Sequence, residues 1–107
     1  MWQAPLTSQS LLCVSVTAET TSELRARRDA AAEADLVELR LDSVKDPDVA
    51  GALVDRRCPV IVTCRPVWEG GWFRGSEEER RTLLAEALNL GAEYVDIDVG
   101  GAVQRVH

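Results

Sequence analysis

Lysine and histidine, the side chains most used for covalent and acid–base catalysis, are almost missing, with Lys45 and His107 the only examples in 107 residues. Lys45 falls after Asp42 in a polar loop, where no apolar run offers a pocket to depress its pKa, so it reads as a solvated surface lysine. His107 is the last residue of the sequence and is expected to fray. Neither residue makes a convincing nucleophile or base.

Cysteine is scarce too. Cys13, Cys58 and Cys64 are odd in number and lack C-x-x-C spacing, which excludes a disulfide framework and predicts buried, reduced thiols. Asp96-x-Asp98 with one terminal histidine is no recognised ligand set, so neither a metal nor another cofactor is implied. Gly70, Gly71 and Gly75 lack the Gly-Lys-Ser/Thr ending of a phosphate loop and read as turn residues. The apolar stretch from Leu11 to Val16 is too short for a signal core or a membrane span, and Met1-Trp-Gln-Ala-Pro5 has no basic region, so a cytoplasmic chain without a membrane partner is expected. A net charge of −6, few aromatic residues, and no basic cluster beyond Arg25, Arg27 and Arg28 argue against nucleic acid. Small molecules and protein partners remain.

The sequence does hold enough apolar residues to fold: 46% hydrophobic with 28% charged excludes wholesale disorder. At 107 residues it is one domain at most, well short of the roughly 250 typical of a closed eight-stranded barrel. Strand and helix patterns alternate throughout. Leu11–Val16 reads as a strand, followed by a helix capped near Thr21 or Ser22 and running to about Ala32. Asp35–Leu41 is the second strand, and a short helix from Asp46-Pro47 turns Val49, Leu53 and Ala52 inward. Pro59 opens the third strand. The longest helix begins with the capping box Ser76…Glu79, buries Leu83, Leu84, Ala87 and Leu88, and ends at Gly91. Tyr94–Val99 is the fourth strand, and residues 100–107 read as the start of another loop or helix. This alternation predicts a parallel α/β sheet, either doubly wound or part of a (β/α) barrel.

Charge placement favours the barrel. Alternation along Asp35–Leu41 sets Glu38, Arg40 and Asp42 on one face and Val37, Leu39 and Leu41 on the other. Glu38, Arg40, Asp96 and Asp98 lie within strands, which is costly in an open sheet buried on both faces but acceptable around a barrel mouth. The bland alternative is a solvent-facing strand side. The third strand ends abruptly in Arg65, with Glu69 four residues on, which reads either as an ion pair delivered to a site or as a salt-bridged turn. Trp68, Trp72 and Phe73 surround the glycines, either as a mobile lid, with Arg74 helping to neutralise an anion, or as packing against a neighbouring loop or partner chain. Two strands bearing arginines and carboxylates suit an anionic, hydroxylated substrate.

Glu38-Leu-Arg40-Leu-Asp42, Thr63-Cys-Arg65-Pro-Val-Trp-Glu69-Gly-Gly71, and then Glu77-Glu-Glu-Arg80, Leu83-Leu84 and Gly91-Ala-Glu-Tyr-Val-Asp-Ile-Asp98 follow in an order that resembles the type I 3-dehydroquinate dehydratases of the shikimate pathway. The likeness covers nearly the whole sequence. It implies the amino-terminal half of a TIM-type (β/α)₈ barrel, a partial (β/α)₄ domain over residues 1–107, and a lyase that converts 3-dehydroquinate to 3-dehydroshikimate through a lysine Schiff base. Carried over by position, Glu38 and Arg40 would hold substrate hydroxyls, Arg65 would contact substrate, and Glu69 would orient the catalytic histidine. Ser15 is a lesser candidate for a substrate contact. Leu39 and Ser43 depart from bulkier residues often found there.

The family's Schiff-base lysine and catalytic histidine come from the fifth and sixth strands, which these residues do not include. The chain alone is therefore expected to be inactive and, with its edge strands open and Leu11, Cys13, Val95 and Ile97 exposed, to be a homo-oligomer. Two other readings stay open. One is a non-catalytic half-barrel used for binding or assembly, and the other is an unrelated parallel α/β domain with structural charges.

Overall fold

A computed structural model of the chain describes residues 11–96 and the strand 103–105. Four strands, β1 (Cys13–Val16), β2 (Leu36–Arg40), β3 (Val60–Thr63) and β4 (Tyr94–Asp96), pair in parallel in sequence order. Helices α1 (Thr21–Ala30), α2 (Val49–Leu53) and α3 (Glu77–Asn89) fill the crossovers. Each crossover advances the chain one strand in the same direction, and α1 packs on α2 and α2 on α3. All three helices therefore share one face of the sheet, the arrangement of a (β/α) barrel rather than of a doubly wound sheet.

Alternation decides which face that is. Val16, Val37, Leu39, Val60, Val62, Cys64 and Val95 point to the helices and are buried, joined there by Leu24, Leu53, Leu84 and Ala87. The opposite face carries Ser15, Glu38, Arg40, Thr63 and Asp96 in neighbouring registers. Leu39 is wholly enclosed, between Val16 of β1 and Val62 of β3. Leu39→Ala is expected to cost about 2–5 kcal/mol of stability in urea unfolding, because the rigid sheet around it cannot collapse into the cavity.

Capping fixes the helices. Thr20, not Thr21 or Ser22, is the α1 N-cap, its Oγ1 accepting from the Glu23 N–H, and the helix stops at Ala30. Helix α2 starts only at Val49, because the Asp48 carboxylate accepts from the Gly51 N–H, and Val49, Ala52 and Leu53 are buried as the pattern required. The Ser76–Glu79 capping box forms on α3. Leu84 and Ala87 are buried, while Leu83 and Leu88 pack at the core's margin. Past α3, Gly91 takes φ 91°, a left-handed value that suits glycine.

Below the sheet, Arg56 donates to the Leu53 and Gly91 carbonyls and to Glu93, whose Oε1 also accepts from the Val60 N–H at the start of β3. Burial pushes the Glu93 carboxyl up, yet the hydrogen bonds from Arg56 and Val60 outweigh it and hold it below its usual range. Glu77 is held at about 2, chiefly by hydrogen bonds from Arg80. Both carboxyls bind protons more weakly folded than unfolded, so their contribution is complete above the unfolded value of 4.5 and fades as pH falls towards the folded values. The urea midpoint is expected to drop below about pH 4.5, and Glu93→Gln should flatten that drop.

Three expectations are corrected. Residues 103–105 form β5 (Val103–Arg105), antiparallel to β4, rather than a loop or helix; they pair with a backbone edge that β4 would otherwise leave bare. Val95 is accordingly buried, not exposed on an edge. Cys13 departs from the buried-thiol expectation and is exposed, as the open-edge expectation had it, because no strand among the described residues pairs with the outer side of β1, whereas Cys64 is buried and Cys58 lies between. Ile97, Asp98, His107 and the first five residues lie outside the described residues. No described helix is long and apolar enough to cross a membrane.

Candidate functional site

Parallel register stacks the polar side chains of the helix-free face into a cluster at the carboxyl ends of the strands, where parallel sheets carry their chemistry. Ser15 lies beside Glu38, and Arg40 beside Thr63. Glu38 accepts from the Ser15 hydroxyl at 2.5 Å and from the Thr63 hydroxyl at 2.7 Å, so three strands meet on one carboxylate. Thr63 was not foreseen as a site residue. Its place two residues from both Ile61 and Arg65 on the strand is the signal that puts it on the same face.

Each arginine is held by an aspartate. Arg40 donates from Nε and Nη2 to the two oxygens of Asp42 at 3.0 and 2.7 Å, a bidentate pair that, with nearby Glu38 and Asp96, raises its pKa further. Its guanidinium lies 5.2 Å from the centre of the Trp72 ring, a cation–π distance. Arg65 donates to Asp96 at 2.9 Å. The aspartates are almost wholly enclosed, with side-chain exposures of 0% for Asp42 and 3% for Asp96, whereas Arg40 and Arg65 keep 20% and 34%. The cationic edges are thus fixed from behind and open in front. Asp42 itself sits in a 3-10 turn (Leu41–Ser43), so the β2 alternation ends at Arg40 rather than running on to Asp42.

The expected Arg65–Glu69 ion pair does not form. After Pro66 the chain enters a second 3-10 turn, Val67–Glu69, which carries Glu69 out to the surface while Arg65 stays on the strand end with Asp96. Glu69 lines a groove of about 690 Å³ with Trp68, Arg81 and Leu88, and its carboxylate has no hydrogen bond or ion pair among the described residues. Glu38, Arg40, Arg65 and Ser15 therefore gather on the helix-free face, and Glu69 stands apart at its rim.

Residues 66–73 are a self-bonded knot rather than a loose flap. Phe73 N–H donates to the Arg65 carbonyl, Val67 N–H to Phe73, and the Glu69 and Gly71 N–H groups to Pro66. Gly70 has φ 84°, and a Cβ on Gly71 would lie 2.1 Å from the Arg65 carbonyl oxygen. Gly71→Ala must therefore push the loop off the end of β3, and faster amide exchange at Phe73 and Val67 is the expected result. Trp68 and Trp72 stay 61% and 55% exposed, which leaves both the covering and the interface reading of these aromatics in place, while Phe73 tucks against the core.

A larger groove, about 980 Å³, lies between the β2–α2 connection, Trp72–Gly75 and the first turns of α3, and includes Lys45 and Arg74. Convergent charges mark the strand-end cluster instead, and size alone does not move the assignment. Lys45 is exposed, as expected of a solvated lysine. On the outer helices, Arg25 pairs with Asp55, Arg27 donates to the Thr17 carbonyl and buried Arg28 to the Ala52 carbonyl. The Cys13 thiol is pushed up by partial burial and by Glu38.

Comparison with known proteins follows the same residues. A family profile described as Type I 3-dehydroquinase matches residues 12–107. A 3-dehydroquinate dehydratase of Desulfotalea psychrophila is 44% identical over 69 residues, covering 64% of this chain and 30% of that protein. The bifunctional 3-dehydroquinate dehydratase/shikimate dehydrogenase of Arabidopsis thaliana is 40% identical over 96 residues, covering 84% of this chain and 16% of that protein. For the 3-dehydroquinate dehydratase of Methanothermobacter thermautotrophicus the figures are 38% over 96 residues, 85% and 43%. The chain thus spans less than half the length of each of these relatives. Among solved structures, the dehydroquinate dehydratase and shikimate dehydrogenase of S. pombe superimposes with a TM-score of 0.66 over 92% of this chain and 22% of its own, at 22% identity, a likeness of fold.

Proposed function

Because the chain belongs to the type I 3-dehydroquinase family, we propose that it is the substrate-binding, amino-terminal half-barrel, residues 1–107, of a 3-dehydroquinate dehydratase acting in the shikimate pathway. The observation that carries this reading is the convergence of Glu38, Arg40 and Arg65 from adjacent strands onto the helix-free face, in the order of the family's motifs. In this reading Glu38, with Ser15 beside it, and Arg40 take the hydroxyls of 3-dehydroquinate, and Arg65 contacts the bound acid. Glu69, exposed on its turn, is left to orient a histidine from another strand. The iminium-forming lysine belongs to a later strand, since Lys45 is exposed in a polar loop. Reaction of a polypeptide carrying this segment and the later strands with 3-dehydroquinate and borohydride tests the reading: a reduced adduct is expected, and neither adduct nor turnover would overturn it.

A non-catalytic half-barrel is the second reading, favoured by the solvated state of Lys45. Small acids remain its ligand class. Neither reading calls for a cofactor, nucleic acid or a membrane, and the absence of a disulfide among the described residues suits the cytoplasm.

Both readings include a homo-oligomer for the isolated chain. Among the described residues the sheet ends at β1 on one side and β5 on the other, and beside β1 Leu11 and Leu12 are 70% and 49% exposed. Sedimentation equilibrium at micromolar concentration should give a dimer or larger species. A stable, folded monomer would contradict this part.

A further inference from the structure

Asp42 is an enclosed carboxylate that no step above uses, and its partners come from the end of β2 and from the β3–α3 loop. It sits in the turn that follows β2, takes both fork nitrogens of Arg40, and accepts the backbone N–H of Trp72 on Oδ2 at 3.2 Å. Trp72 in turn lies beneath the Arg40 guanidinium and continues the knot that begins at the end of β3. The Asp42 side chain has no exposed surface, and these three donors satisfy its two oxygens. Arg40 therefore has one arrangement in which Asp42, the indole plane and the β3–α3 loop are all satisfied.

We propose that Asp42 is a positioning residue for substrate, locking the Arg40 fork and seating Trp72 under it so that the bound acid meets a cation already in place. The role deepens the functional reading above and rests on it. Without Asp42 the guanidinium keeps its charge but loses its orientation, and the loop loses a tie at Trp72. Binding and loop order then depend on the same carboxylate.

The test uses the 107-residue chain, with 3-dehydroquinate as probe followed by NMR titration, and amide exchange at Trp72 as a second readout. Asp42→Asn, nearly isosteric, should weaken binding about tenfold or more, which is the range expected for charged hydrogen bonds, and should speed Trp72 exchange. Arg40→Ala should weaken binding by a similar factor yet leave the Trp72 amide protected, and the double variant should be no worse than either single one. Arg40→Lys, which keeps the charge without the fork, should behave like Arg40→Ala and decides the matter should Asp42→Asn fail to fold. Additive losses, an unchanged Trp72 amide in Asp42→Asn, or wild-type binding by Arg40→Lys would each overturn the proposal. No binding by the unaltered chain would overturn the functional reading and the substrate half of this role with it, while the exchange arm would still decide whether Asp42 ties the loop.

Discussion

The 107-residue chain, incubated with 3-dehydroquinate and borohydride, is expected to keep its mass and to dehydrate nothing above background. The proposed chemistry needs an amine that forms an iminium and a base that removes the proton, and binding residues alone cannot replace covalent catalysis. Lys45 is exposed beside Asp46, off the strand-end cluster of Ser15, Glu38, Arg40 and Thr63. Loss of the whole catalytic step corresponds to rate factors on the order of 10⁶ or more, so the effect is all or nothing in an assay. An adduct on Lys45 accompanied by turnover would sink the assignment of the amine to a later strand.

Arg65 and Glu69 should separate cleanly when each is altered in a polypeptide that joins this chain to the remaining strands of a relative such as the Methanothermobacter dehydratase. Glu69→Gln keeps size and removes charge at a residue expected to steady a cationic histidine, so kcat should fall on the order of 10²-fold with little change in KM. Arg65→Ala removes the proposed contact to the bound acid and leaves Asp96, 3% exposed, with one partner fewer. KM should rise about tenfold or more, and stability should fall as well. Full activity in both variants would show that neither position belongs to the site.

Strand identity and facing were legible because alternation is a local property. Val37, Leu39, Glu38 and Arg40 sort themselves by a period of two, and the Ser76–Glu79 box declares its helix within four residues. Partners across strands were not. Arg65 finds Asp96 at a separation of 31 residues, a choice set by the register of β3 with β4 and by the turn after Pro66, neither of which spacing in the sequence encodes. Proximity in the chain pointed to Glu69 instead.

Exposure failed for a related reason. The thiols read as buried, but Cys13 lies, as the open-edge reading expected, on an edge strand whose outer neighbour is not among the described residues. Likewise the loop 66–73 looked flexible from its glycines. In the fold Gly70 supplies a left-handed turn at φ 84°, Gly71 lets the chain pass against the Arg65 carbonyl, and the backbone bonds to itself there. Asp42 was visible as the third charge of an E-x-R-x-D segment, yet its link to Trp72 depends on how that knot closes.

Titration of the isotopically labelled chain with 3-dehydroquinate, followed by backbone and arginine side-chain NMR, tests the central claim most directly. Half of a site should bind weakly, with a dissociation constant about 1 mM or above. The shifts should concentrate on Ser15, Glu38, Arg40, Thr63 and Arg65, the polar face that the register assembles. Shifts centred on Lys45, Arg74 and Leu83 in the larger groove, or none at all from a folded chain, would contradict the account.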